Sequence, residues 1–229
     1  MATGSVDDPT DDVVAPRPSE WWRKMVVEFL GTFFLVVTVG DSVRNGAALA
    51  PLAIGSDLMV MVYAGGHISG GHYNPAVTLA VLVRGRIGAR EAFGYWIAQL
   101  AGGVVAALAV RATVSASASH VVAPAQYALW MALFAEFLFT FALGYVVLNV
   151  ATSKDHPDNS FYGLAIGATV IAGAVAVGGI SGGAFNPAVV VGGAAMGLFA
   201  WSSLTYVAAQ LVAGAGAGLV FRALNPEDK

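Results

Sequence analysis

A twelve-residue phrase occurs twice in this chain, and its recurrence restricts the fold more than any other feature. Gly66–Val77 reads GHISGGHYNPAV and Gly178–Val189 reads GGISGGAFNPAV, 112 residues later, with nine of the twelve positions identical. Fainter echoes keep the same order. VEFLGTF at Val27–Phe33 returns as AEFLFTF at Ala135–Phe141, and AQL at Ala98–Leu100 returns at Ala209–Leu211. The chain therefore reads as two copies of one unit, with halves at about 21–113 and 127–224.

Each half holds three apolar stretches, near 23–42, 48–66 and 90–112 in the first and near 128–151, 161–178 and 202–223 in the second. A hydrocarbon core about 30 Å thick takes roughly 20 helical residues to cross, so all six are long enough. Composition agrees: 57% of residues are hydrophobic and 11% charged, where a soluble domain carries about 25% charged residues. Three is an odd number of crossings, so the halves insert in opposite directions. Inverted repeats of this kind place a site or path at their interface near the midplane. The expected fold is an all-α membrane protein, with six transmembrane helices and two re-entrant half-helices.

The half-helices are the stretches 75–83 and 187–196, too short to span. Each follows an Asn-Pro-Ala tripeptide: Asn74, Pro75, Ala76 and Asn186, Pro187, Ala188. Asn is a good helix N-cap and Pro is favoured at the first helical position, so each tripeptide starts a helix. The ISGG runs before them, Ile68–Gly71 and Ile180–Gly183, read as non-helical backbone. Such backbone survives at membrane depth only when buried or lining an aqueous cavity. Two half-helices entering from opposite faces would meet N-terminus to N-terminus, each end carrying roughly half a positive charge. That arrangement repels cations, while the Asn74 and Asn186 amides can donate hydrogen bonds to a passing neutral oxygen.

Glu28 and Glu136 are repeat mates inside the first and fourth spans. A carboxylate there normally faces the bundle interior with a partner. The expected partners are backbone N–H groups of the loops, so that each Glu braces one half-helix. Asp57 is a second intramembrane carboxylate, one helical turn from Ile54; it either tunes the outer vestibule of the pore or bonds a neighbouring helix. His72 is expected to line the inner half of the pore beside Asn74, and His67 to pack structurally. His120 has no evident partner, and Ser115, Ser117 and Ser119 read as solvated linker. Trp21 and Trp22 beside Arg23 and Lys24 read as an interfacial anchor.

Nine Lys/Arg fall on the side of the termini and only Arg44 and Arg111 on the other. The positive-inside bias then puts both termini in the cytoplasm. Residues 1–20 carry five acids against Arg17 and read as a disordered acidic tail; 21–224 read as one channel domain and 225–229 as a short C-terminal tail. The tail lacks the basic and apolar regions of a secretory signal. The chain has no Cys, which excludes disulfides and thiolate chemistry. No His/Asp/Glu cluster has metal-ligand spacing, and no nucleophile–base pair or phosphate fingerprint stands out. Neither a metal, a cofactor, a nucleic-acid partner nor an enzymatic activity is expected.

From Trp21 to Phe221 these residues resemble the major intrinsic protein family, the aquaporins and aquaglyceroporins. GHISGGHYNPAVTLA at Gly66–Ala80, FNPA at Phe185–Ala188, the paired Glu and the paired AQL carry the likeness. The resemblance implies a right-handed six-helix bundle with one pore per subunit, a homotetramer, and a location in the plasma membrane. It also implies a selectivity constriction at Ile54, Ala174, Gly183 and Val189. Water-specific members usually have Arg where this chain has Val189, and often His where it has Ala174; glycerol facilitators keep that Arg, usually followed by Asp where Val190 stands here. The MVMVY run at Met59–Tyr63 resembles plant nodulin-like and related bacterial members, some of which pass metalloid hydroxides.

The expected function is passive passage of small uncharged polar solutes: water, hydrogen peroxide, glycerol, urea or metalloid hydroxides. A structural or adhesion protein with a closed pore on the same fold is the alternative. A coupled transporter would need ion ligands, for which Asp57 is the one candidate.

Overall fold

The computed structural model describes residues 18–114 and 128–228. The expectations for most of the acidic tail, for Ser115, Ser117 and Ser119, and for His120 lie outside the described residues. Helix α1 spans Pro18–Arg44 and takes in residues 18–20, which the sequence assigned to the tail. It is followed by α2 (Ala50–Ser69), α3 (Pro75–Arg84), α4 (Ala89–Thr113), α5 (Leu129–Ala151), α6 (Tyr162–Ser181), α7 (Pro187–Met196) and, after a 3-10 turn at Trp201–Leu204, α8 (Thr205–Leu224). Six of these are long and apolar enough to cross a membrane; α3 and α7 are not.

The distribution of polarity is the reverse of that in a water-soluble protein. Trp22, Phe93, Leu108, Trp130, Val175 and Val212 are exposed on the outside. Glu28, Gln99, Glu136 and Gln210 are completely buried inside. An apolar exterior around a polar, hydrogen-bonded interior is the stable arrangement in hydrocarbon, where a polar group facing outward finds no partner.

The two halves interlock rather than stand side by side. Half-helix α3 packs chiefly on α8 of the opposite half, and α7 packs on α4. Glycines make this possible. A β-carbon at Gly103 would stand 2.7 Å from the Ala188 carbonyl oxygen of α7, and one at Gly214 would overlap the Ala76 carbonyl oxygen of α3. Backbones can approach this closely only where side chains are absent, the usual device for packing helices in lipid. The obstacle at Gly214 is backbone, which cannot rotate away. Gly214→Ala is therefore expected to lower stability by about 2–3 kcal/mol and to displace α3. A lowered melting midpoint in detergent, with reduced solute flux, is the expected readout.

Both half-helices have the caps their sequences call for. Asn74 and Asn186 sit at the N-caps with extended backbone, and Asn74 Oδ1 accepts from Ala76 N at 2.9 Å, as Asn186 Oδ1 does from Ala188 N. Gly85 and Gly197 end the helices in the left-handed conformation, at φ 91° and 82°. The ISGG runs are only half irregular. Ile68 and Ser69 complete α2, and Ile180 and Ser181 complete α6, before Gly70 and Gly182 turn left-handed. The helices extend this far because each Ser uses its hydroxyl on a carboxylate, and each Gly N–H closes a bond back to Gly66 or Gly178.

Candidate functional site

Two carboxylates organise the interior with near-perfect internal symmetry. Glu28 Oε1 accepts from Ser69 Oγ at 2.7 Å and His72 N at 2.9 Å; its Oε2 accepts from Tyr73 N at 2.7 Å and Gln99 Nε2 at 2.8 Å. Glu136 repeats this with Ser181 Oγ, Ala184 N, Phe185 N and Gln210 Nε2, at 2.7, 3.0, 2.7 and 2.8 Å. Each loop from helix to Asn-Pro-Ala is thereby tied to the first and third spans of its own half. The backbone donors would otherwise be stranded, since Gly70–Asn74 and Gly182–Asn186 lie outside helices.

The half-helix N-termini meet through reciprocal bonds. Asn74 Nδ2 donates to the Phe185 carbonyl oxygen and Asn186 Nδ2 to the Tyr73 carbonyl oxygen, both at 2.9 Å. Tyr73 and Phe185 adopt φ of 48° and 47°, the left-handed region that aromatic residues avoid at a cost of about 1–2 kcal/mol. Each carbonyl that receives an opposing Asn thus belongs to a left-handed residue. An amide nitrogen carries two protons. One is used in this cross-tie, leaving one per Asn for anything that passes.

Around this junction lies a narrow cavity of about 30 Å³, room for a water-sized molecule. Its walls follow the repeat. Leu35 is matched by Leu143, Val39 by Val147 and Ile54 by Ile166. Gly71 is matched by Gly183, Asn74 by Asn186 and Val77 by Val189. His72 faces the place that its mate Ala184 occupies on the other side. Apart from the two amides, His72 and Phe185, the side chains are aliphatic. Of the expected constriction, Ile54, Gly183 and Val189 stand on these walls, and the Ala174 Cα lies 3.4 Å from a β-carbon built at Gly183. The side on which α1 begins and α8 ends, here termed inner, opens into a vestibule of about 510 Å³ bordered by Lys24, Arg86, Glu91 and Lys154.

Asp57 is not on the cavity walls. It is half-buried on α2 and takes a hydrogen bond from the Thr38 side chain of α1, the interhelical one of its two expected roles. His67 lies in α2, exposed, beside a smaller inner pocket that also touches His156 and Asp158. Among the described residues no group of three or more His, Asp or Glu side chains is placed to hold a metal ion.

A latch not read from the sequence closes the inner rim. Arg84, at the end of α3, donates to Thr152 Oγ1, the Thr152 and Asp228 carbonyl oxygens and Asp228 Oδ1, the last at 2.6 Å, and lies over the Phe221 ring. Asp228 also accepts from Arg86 and from Lys154 N. Burial opposes ionisation of Asp228, but the Lys154 N–H and the Arg84 guanidinium override it and bring the carboxyl down to about 2. A depressed carboxylate contributes stability that is complete above its ordinary value and lost as pH falls through the lowered one. The protection factor for hydrogen exchange in the 152–158 loop, the free-peptide rate over the measured rate at the same pH, is therefore expected to be flat from pH 9 to about 5 and to fall only between about 4 and 2. Loss of protection near pH 6 would show that Asp228 does not hold the loop.

Ser69 and Ser181, and the bonding of Gln99 and Gln210 to the carboxylates, were also absent from the sequence reading. Their signal was present: each recurs in the repeat, in ISGG and in AQL. The Arg84–Asp228 latch has no repeat mate and left no such trace.

The comparisons with known proteins bear on this architecture. The family model described as major intrinsic protein matches residues 16–221. The glycerol uptake facilitator protein-like 6 of Lactiplantibacillus plantarum is 42% identical over 219 residues, which are 90% of this chain and 100% of that protein. Aquaporin NIP1-4 of Oryza sativa subsp. japonica is 36% identical over 225 residues, 92% of this chain and 80% of that one. The X-ray structure of the aquaglyceroporin from Plasmodium falciparum superposes with a TM-score of 0.74 at 21% identity, covering 90% of this chain and 95% of that one, a likeness of fold. With paired half-helices braced by paired carboxylates and a family match spanning nearly the whole sequence, the chain belongs to the major intrinsic protein family.

Proposed function

We propose that this protein is a passive membrane channel for small uncharged polar solutes, favouring glycerol, urea, hydrogen peroxide and metalloid hydroxides over strict water selectivity. The observation that carries the solute preference is the wall composition. The path offers the Asn74 and Asn186 amides at its centre and His72 on one side, and, Phe185 apart, aliphatic side chains elsewhere. A solute with both hydroxyl or amide groups and a carbon face fits such walls. Water alone finds few partners in an aliphatic constriction, which slows it by partial dewetting. The relative named for glycerol uptake supports the same direction.

Ion exclusion follows from the cross-tied N-termini. Each helix end presents about half a positive charge, and the Asn cross-ties hold the two ends together at the centre. Cations are repelled where they would be most dehydrated. Glu28 and Glu136 act as braces that keep the ends in place. The protein is further taken to be a homotetramer in the plasma membrane, its inner side cytoplasmic in keeping with the basic residues there.

Stopped-flow light scattering on proteoliposomes, comparing water, glycerol and urea with a peroxide-uptake assay, tests the proposal. Rates no faster than in empty vesicles for every solute would remove it. Val189→Arg adds a long cation to the outer wall and is expected to cut glycerol and urea flux about ten-fold while sparing water more. Unchanged fluxes in that variant would mean that Val189 is not at a narrow point.

A further inference from the structure

We propose that solute size is selected at the inner end of the path, by His72 with Val147, rather than at the outer end around Val189. The proposal rests on the permeation reading above. The inverted repeat carries the first part of the argument. Most wall positions have an inner mate of the same kind, such as Val77 for Val189 and Ile166 for Ile54. Ala184 has a much bulkier inner mate, His72, while Leu58 has a slightly smaller one, Val170. The correspondence is geometric as well as sequential. A β-carbon at Gly183 would lie 3.4 Å from the Ala174 Cα, and one at Gly71 would lie 3.4 Å from the Val62 Cα. The inner end thus carries an imidazole where the outer end carries a methyl group, built on equivalent backbone.

The cavities point the same way. Among the described residues, the walls of the central cavity and of the inner vestibule share only His72 and Val147. These two side chains stand between a space of about 30 Å³ and one of about 510 Å³.

The imidazole is also anchored, so the aperture has a fixed size. Glu28 holds the His72 backbone N–H at 2.9 Å, and the ring meets the Tyr95 ring edge-on at 5.1 Å. His72 Nδ1 lies 3.1 Å from Thr78 Oγ1. That hydroxyl has one proton and donates it to the Asn74 carbonyl oxygen, so Nδ1 carries the hydrogen toward Thr78. Nε2 is left as an acceptor beside Gly70, the one side-chain acceptor on this ring for a solute hydroxyl or amide.

The test is a size series, glycerol, erythritol and xylitol, in proteoliposomes with the full-length protein. His72→Ala is expected to raise erythritol and xylitol permeability at least about five-fold, with a smaller rise for glycerol. Val147→Ala, on a different helix, is expected to shift the cut-off in the same direction and guards against a folding defect in the first variant. Variants are compared after monodisperse elution and equal incorporation. A shift in either variant supports the proposal. A cut-off unmoved in both, or one that moves with Val189→Ala alone, overturns it while leaving the channel reading intact. Wild-type and variant vesicles all as slow as empty ones would remove the channel reading itself.

Discussion

Glu28→Ala is expected to yield no folded channel. The change strands four buried donors: Ser69 Oγ, His72 N, Tyr73 N and Gln99 Nε2. Leaving a buried donor unsatisfied costs about 1–3 kcal/mol, so four come to roughly 4 kcal/mol even at the low end. Against a total stability on the order of 5–15 kcal/mol, that is enough to release the loop before α3. Glu136→Ala should behave alike, because its bonds match those of Glu28 to within about 0.1 Å. Glu28→Gln keeps the shape, but its amide NH₂ faces N–H donors, so an intermediate loss is expected. Yield of monodisperse protein and its melting midpoint are the measurements. A Glu28→Ala protein that elutes and melts like wild type would mean the loop is held by other contacts.

Asn186→Asp is the second large effect, and it acts on charge rather than on folding. The two helix ends together present about one positive charge at the junction. An ionised carboxylate introduced at this position would cancel it. One unit of charge at about 5 Å, with an effective dielectric constant near 20, is worth about 3 kcal/mol. The cation barrier would fall by that amount, a rise in sodium or proton leak of roughly a hundred-fold. The substitution also sets a carboxylate oxygen against the Tyr73 carbonyl oxygen, where the amide now donates at 2.9 Å. That clash favours the protonated acid, so the leak should grow as pH rises. Dye-based leak assays in proteoliposomes across pH would show it. A variant as tight to cations as wild type at high pH would place the barrier elsewhere.

The spans and half-helices were legible in the sequence because their causes are local. Hydrocarbon thickness sets the length of an apolar run, and Asn-Pro starts a helix wherever it occurs. Hence the stretch read at 187–196 coincides with α7, and that at 128–151 differs from α5 by one residue. The ISGG boundary was misplaced for a nonlocal reason: Ser69 and Ser181 remain helical while their hydroxyls bond carboxylates on other helices.

The Asn-Pro-Ala pairs, the carboxylate pairs and the odd number of spans together determine an inverted repeat with two facing helix ends; that much is in the sequence. The tertiary structure decided how the ends are held. Each Asn spends one amide proton on the opposite half, and each half-helix packs on a glycine-bearing span of the other. It also decided which residues share the walls, with His72 facing the place of its mate Ala184. The reason is physical: periodicity and capping are set by neighbours along the chain. Which carbonyl an amide reaches, and which side chains share a wall, depends on residues about a hundred positions apart being brought together.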